Sequence, residues 1–356
     1  MPSNPPASTE FNTLGRSGLV VSPFALGSMT FGTARWGTAD DVSGDIFNAY
    51  VDAGGNFVDT ADVYAGGRSE ELLGEFIAAR KLRHSLVLST KFGFHGGEPG
   101  NTNGGGSGRK NMQRALEGSL RRLRTDCIDL YWLHAWDRLT PVEEVLQSLG
   151  DMVRAGKIRY FGFSNVPAWY AAKAAALASA HAVPGPVALQ LEYSLVERSV
   201  EREHLPAARD AGLGFTPWSP LAAGFLSGKY RRDDAQVIGA GRLAGSNPFG
   251  NSKFTDHNWR ILDALREVAL QVERPPAQVA LAWTSVQAGV TSLILGARSV
   301  EQLNDNLAAG GLRLNAEQMR RLDACSAPAP ATPYAIFADD VNRAIFGGAS
   351  VRGWAG

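Results

Sequence analysis

The segment "NFVDTADVY" (56–64) ends a short apolar run on Asp59 and places Tyr64 five residues later. A carboxylate that closes a buried run is costly unless a cation pairs with it. Two further apolar runs also finish on ionisable groups: "LVLSTK" (86–91) on Lys91 and "CIDLYWLH" (127–134) on His134. Together these four residue types suit protonation of a carbonyl oxygen while a nucleophile attacks the carbon. Tyrosine, with an ordinary pKa of about 10, is a weak acid for work near neutrality. A neighbouring ammonium favours the tyrosinate and lowers that value. In this scheme Lys91 supplies the charge, Asp59 fixes the ammonium, and His134 orients a substrate oxygen toward Tyr64. Asp62 gains no role and reads as an ordinary loop residue. A lysine so placed also fits a Schiff-base aldolase.

These side chains converge only if their strands are neighbours. Short β-rich runs begin at residues 23, 56, 86, 127, 158, 187, 213 and 292, with helical patterns between them such as 110–124, 141–155 and 299–308. Most spacings are about thirty residues, one βα unit. Near-continuous apolar runs indicate strands covered on both faces, hence a parallel sheet. Eight such units predict an α/β chain folded as a (β/α)8 TIM barrel over about residues 11–325, one domain spanning 1–356 with a tail at 327–356. The stretch "TPVEEVLQSLGDMVRAG" (140–156) predicts a helix with Thr140 as N-cap, Pro141 at the first position and Gly156 as its stop. Residues 11–21 read as a hairpin plugging the N-terminal end. Long loops at 95–108 and 228–256 follow strand ends, where barrel chemistry occurs. Further strand ends carry Ser164–Asn165, Gln190, Trp218–Ser219 and Arg298.

The ordered motifs "FVDTADVYAGGRSEELLG" (57–74), "STKFG" (89–93), "LYWLHAWD" (130–137), "GFSN" (162–165), "LQLEYS" (189–194), "TPWSPLAAGFLSGKY" (216–230) and "LILGARSVEQLNDNL" (293–307) closely resemble the aldo-keto reductase superfamily, including its potassium-channel β-subunit-like branch. The resemblance implies a catalytic tetrad of Asp59, Tyr64, Lys91 and His134, with Tyr64 as proton donor and NADPH as hydride source. It also implies that Ser164, Asn165 and Gln190 bond the carboxamide, that Trp218 stacks on the nicotinamide, and that Gly27, Ser28 and Met29 flank that end. Ser219, Leu221, Gly224, Leu226 and Gly228 would line the pyrophosphate, and Gly296, Ala297, Arg298, Gln302 and Asn306 the adenosine. Short family members carry Lys-Ser at Gly296–Ala297 and an arginine at Gln302, so Arg298 is the main cation for a 2′-phosphate that would favour NADPH over NADH. A relative of this kind could also serve as a cofactor-binding regulatory subunit with slow turnover.

An aromatic substrate wall is expected from Phe31, Trp36, Phe94 and Trp136, with Tyr334 from the tail, suited to a small carbonyl or alcohol on an apolar body rather than a free sugar. Thirty-five basic residues balance thirty-five acidic ones, which argues against a nucleic-acid or acidic-membrane partner. Two cysteines suit a reducing, cytoplasmic setting, and neither they nor the histidine spacing form a metal site. No apolar stretch has the roughly 18 residues of a membrane span. "GAGRLA" (239–244) fits a dinucleotide fingerprint but lacks the flanking strand and helix. A homo-oligomer is compatible with this composition.

Overall fold

The computed structural model describes residues 10–33, 37–97, 99–233, 236–238, 243 and 253–351. Trp36, and all of "GAGRLA" except Leu243, lie outside the described residues. The chain opens on an antiparallel hairpin of β1 (Asn12–Thr13) and β2 (Val20–Val21). Seven parallel strands follow: β3 (Phe24–Gly27), β4 (Phe57–Asp59), β5 (Val87–Phe92), β6 (Ile128–Leu133), β7 (Ile158–Ser164), β8 (Ala188–Gln190) and β9 (Gly214–Phe215). An antiparallel pair, β10 (Arg231–Asp233) and β11 (Gln236–Ile238), lies in the insert after β9, and β12 (Leu293–Leu295) is the eighth parallel strand. β12 pairs with β3. It meets β9 through Thr291 N donating to Phe215 O (2.8 Å) and Ile294 N donating to Pro217 O (2.9 Å), which closes the barrel.

Helices alternate with these strands: α1 (Asp40–Asp52), α2 (Arg68–Arg80), α3 (Arg109–Arg122), α4 (Val142–Arg154), α5 (Ala168–Ala180) and α6 (His204–Ala211), then α7 (Asp256–Gln271), α8 (Pro276–Ser285) and α9 (Val300–Leu307). α10 (Ala316–Ser326) packs on α7, and α11 (Asp339–Ile345) lies in the tail. No helix among the described residues is long and apolar enough to cross a membrane.

The expected start of α4 is corrected in detail. Pro141 is its N-cap, and the Thr140 hydroxyl donates to Asp137 Oδ2 (2.7 Å) instead of capping. Gly156 does end the helix region, with a left-handed φ of 70°.

The period of two along each strand separates two cores. Outward residues such as Val58, Leu88, Tyr131, Leu133 and Phe163 join the large cluster beneath the helices. Inward residues, among them Ala25, Phe57, Val87, Leu130, Trp132, Ala188 and Ile294, fill the barrel. Leu14 and Val21 of the hairpin belong to this inner cluster, so the hairpin plugs the N-terminal end as expected. Gly162 makes room within the barrel: a Cβ there would lie 2.4 Å from the Trp132 ring and 2.6 Å from Ala188 O. Above this apolar layer, the next inward positions carry the polar groups of the site.

Candidate active site

Register brings the charged residues together. Asp59 pairs with Ser89 across β4 and β5, and Lys91 stands two residues further along the same face. Lys91 Nζ donates to Asp59 Oδ2 (2.5 Å), Thr60 O (2.7 Å) and Tyr64 Oη (3.3 Å). An ammonium has three protons, and here each has an oxygen. Asp59 Oδ1 accepts from Ser89 Oγ (2.7 Å) and Gln190 Nε2 (3.1 Å), so with Lys91 the carboxylate is held from two other strands, β5 and β8. Asp59 and Lys91 are 2% and 1% exposed, a burial that neither charge tolerates without the other. Burial, the largest influence, pulls the Lys91 ammonium down, but Asp59 and then Tyr64 outweigh it and hold the lysine above its ordinary value.

Tyr64 reaches this pair because the chain turns sharply after β4. Ala65, Gly66 and Gly67 adopt successive left-handed conformations (φ 49°, 64° and 100°) between Tyr64 and the start of α2. The phenol is half-buried, with Lys91 Nζ 4.9 Å from its ring centre. The His134 ring stands edge-on to Tyr64 at 5.8 Å and to Phe94 at 4.7 Å. Burial and then the Lys91 charge hold His134 well below the usual imidazole range, so it is neutral near pH 7. Its Nδ1 is buried and has no hydrogen-bond partner among the described residues.

The amide side of the site is a linked set. Asn165, with a left-handed φ of 52°, donates through Nδ2 to His134 O (2.9 Å) and Ser164 Oγ (3.0 Å), and accepts from Trp218 Nε1 (3.2 Å). Three strand ends are thereby fixed relative to one another. Beyond Trp218 the backbone is left-handed at Ser219, Ala222, Ala223, Gly224 and Gly228. Leu226 puts its side chain fully in the core, so only its backbone can face a ligand. Leu221 is half-buried.

Residues expected at the adenosine gather at the start of α9. Lys229, Arg298, Ser299 and Gln302 line one cleft. Burial and then Arg298 pull the Lys229 ammonium below its ordinary value, the mark of two cations converging. Lys229 was not anticipated from the sequence; the signal for it is a basic residue closing "LSGKY" after the glycines. Gln302 serves the helix start, its Oε1 accepting from Arg298 N (2.8 Å) while Ser299 Oγ accepts from Gln302 N (3.1 Å). Gly296 has open space around it, whereas Ala297 and Asn306 are buried.

Several expectations change. The Ser28 hydroxyl is fully buried and engaged with Ser69 Oγ (2.7 Å) and Asp59 O (3.2 Å), so it does not face the mouth. Gly27 is buried and Met29 half-buried beside it. Phe31 has no exposed surface and belongs to the main core, so it is not part of the wall. The rim instead holds exposed Phe94 and half-buried Trp136, with Trp169, missed from sequence, 55% exposed and edge-on to Trp136 at 5.5 Å. Tyr334 hydrogen-bonds Glu203 and lies by Arg202, which ties the tail to the start of α6. Asp62 is only 8% exposed and is no ordinary loop residue. Among the described residues no cluster could hold a metal ion.

The aldo/keto reductase family model matches residues 23–327. The chain is 36% identical to the uncharacterized oxidoreductase YrpG of Bacillus subtilis over 92% of this chain and 99% of that protein. It is 33% identical to an aryl-alcohol dehydrogenase of Pestalotiopsis microspora, over 91% and 84%. It is 36% identical to a probable voltage-gated potassium channel subunit beta of Oryza sativa subsp. japonica, over 84% and 90%.

Proposed function

Because the chain belongs to the aldo/keto reductase family, a family of NAD(P)H-dependent oxidoreductases, we propose that it reversibly reduces an aldehyde or ketone to the alcohol, with NADPH as hydride source and Tyr64 as proton donor. The observation that carries this reading is the buried Lys91 ammonium bonded at once to Asp59 and to the Tyr64 hydroxyl. An ammonium cannot accept a hydrogen bond, so the phenol proton is directed away from Lys91. The positive charge stabilises the tyrosinate left after proton donation. Asp59 keeps the ammonium in place, and neutral His134 offers a hydrogen bond that orients the carbonyl oxygen.

The nicotinamide supplies the hydride when bound. The residues present suit an extended dinucleotide: Ser164, Asn165 and Gln190 offer amide and hydroxyl partners for the carboxamide, and Trp218 a ring to stack on. The left-handed run after Trp218 exposes backbone for a pyrophosphate. Lys229 and Arg298 supply two cations for a 2′-phosphate. The rim of Phe94, Trp136 and Trp169 favours an apolar, aryl-type carbonyl as the small-molecule partner. Similarity to an aryl-alcohol dehydrogenase supports that choice.

Tyr64→Phe tests the assignment. Carbonyl-dependent oxidation of NADPH should fall by about 10²-fold or more, the usual share of a general acid, while NADPH binding, read by tryptophan fluorescence, stays near wild type. Turnover close to wild type would refute it. Similarity to a channel β subunit supports a second reading, a cofactor-binding regulatory protein with slow turnover. Steady multiple turnover on an aryl aldehyde would remove it. The aldolase alternative is disfavoured because Lys91 is a fully bonded ammonium, whereas Schiff-base chemistry needs a free amine.

A further inference from the structure

Asp62 lies outside the machinery above, on the turn between β4 and Tyr64. Its backbone N–H donates to Lys91 O (3.1 Å), tying this turn to the strand that carries the lysine. The side chain is 8% exposed, and Oδ1 is buried with no hydrogen-bond partner among the described residues. A Cβ placed on Gly96 would lie 3.7 Å from Asp62 Oδ2 and 3.8 Å from Arg114 Nη2, so carboxyl and guanidinium both border the start of the Gly-rich loop without forming an ion pair. Arg114 of α3 holds that loop, donating to Gly96 O (3.3 Å) and Gly104 O (3.1 Å), and it is fixed by Asn111 Oδ1 (2.7 Å).

The other charged or titratable groups facing Asp62 are Glu70 of α2, Arg122 of α3 and Tyr131 of β6. Glu70 is fully buried and already takes Arg122 (2.7 Å) and the Thr90 hydroxyl (2.5 Å). Of the two arginines, Arg114 is therefore the one whose loop contacts are to neutral carbonyls. Hydrogen bonds to an ionised carboxylate are roughly twice as strong as neutral ones. A charge appearing on Asp62 competes for Arg114.

We propose that Asp62 is a positioning residue whose protonation seats the Gly-rich loop against the Asp62–Val63 turn that leads to Tyr64. Neutral, it leaves Arg114 on the carbonyls of Gly96 and Gly104; ionised, it draws Arg114 away and loosens the loop. Burial, and then the Glu70 charge, push the carboxyl up to about 7 against the pull of Arg122 and Arg114, so the exchange falls in the neutral range. Phe94, which packs on His134, stands at the start of this loop. Loosening therefore weakens carbonyl binding more than the chemical step. That kinetic consequence rests on the reductase reading; the loop response does not.

Hydrogen exchange of peptides covering 93–108, corrected for intrinsic rates, separates the two. In wild type, protection should drop about tenfold between pH 6 and 8.5, the effect of losing two neutral hydrogen bonds. Asp62→Asn should stay protected at both values, Asp62→Glu should keep the pH response, and Arg114→Gln should be loose at both. KM for an aryl aldehyde should rise several-fold over the same range in wild type and stay flat in Asp62→Asn, with kcat little changed in either. Exchange independent of pH in wild type, or the same pH response in Asp62→Asn, overturns the proposal. If no carbonyl is turned over, the reductase reading fails while the exchange result still decides Asp62.

Discussion

Lys91 and Asp59 hold each other in a place where neither could stay alone. Removing the lysine leaves a carboxylate buried with only Ser89 and Gln190 as partners, and loss of one member of a buried pair costs on the order of 3–5 kcal/mol. Lys91→Met should therefore destabilise the fold by about that amount in urea unfolding. Asp59→Asn added to it should cost much less than the sum of the two single changes, because the orphaned charge is gone. Strict additivity would show that the pair is not coupled. This pair was legible in the sequence, since a charge ending an apolar run demands a partner. Asp62 was not. Its burial comes from α2, α3 and the Gly-rich loop folding over it, none of which the local sequence "TADVY" announces. Phe31 failed in the opposite sense: an aromatic near a strand end is as much at home in the core.

At the scale of elements, all eight strands stand where apolar runs had indicated, because a strand buried on both faces needs little else to declare itself. Their lengths were less legible. The runs at 187–193 and 213–219 shrink to Ala188–Gln190 and Gly214–Phe215. In the second, Pro217 has no N–H to donate, so the regular ladder is interrupted there and pairing resumes only as an isolated bridge from Trp218 to Glu192. The turn after it carries Lys229, while the start of α9 carries Arg298, so the paired cations arise from two elements about seventy residues apart in sequence. Spacing could not reveal that pairing. Lys229→Ala and Arg298→Ala should each weaken NADPH binding roughly tenfold or more, the scale of one charge-assisted hydrogen bond, and leave NADH binding nearly unchanged. Equal losses for both cofactors would remove the two residues as readers of the 2′-phosphate.

For the whole molecule, the buried Asp62 predicts how stability varies with pH. Its folded value of about 7 lies above the ordinary 3.8, so between these values the folded chain holds a proton that the unfolded chain releases. The resulting stabilisation is full below about 3.8 and is lost progressively as the pH rises toward 7, beyond which it is flat. Each tenfold difference in proton affinity between the folded and unfolded chains is worth about 1.4 kcal/mol, which sets an upper limit of roughly 4 kcal/mol for this residue. Other titrating groups contribute their own slopes, and comparison with an isosteric neutral side chain subtracts them. Asp62→Asn should gain on wild type steadily from pH 4 to pH 7 in urea unfolding and hold a constant advantage above that. Curves that run parallel across the whole range would mean that Asp62 titrates alike in the folded and unfolded chains, and its coupling to the loop would fall with that result.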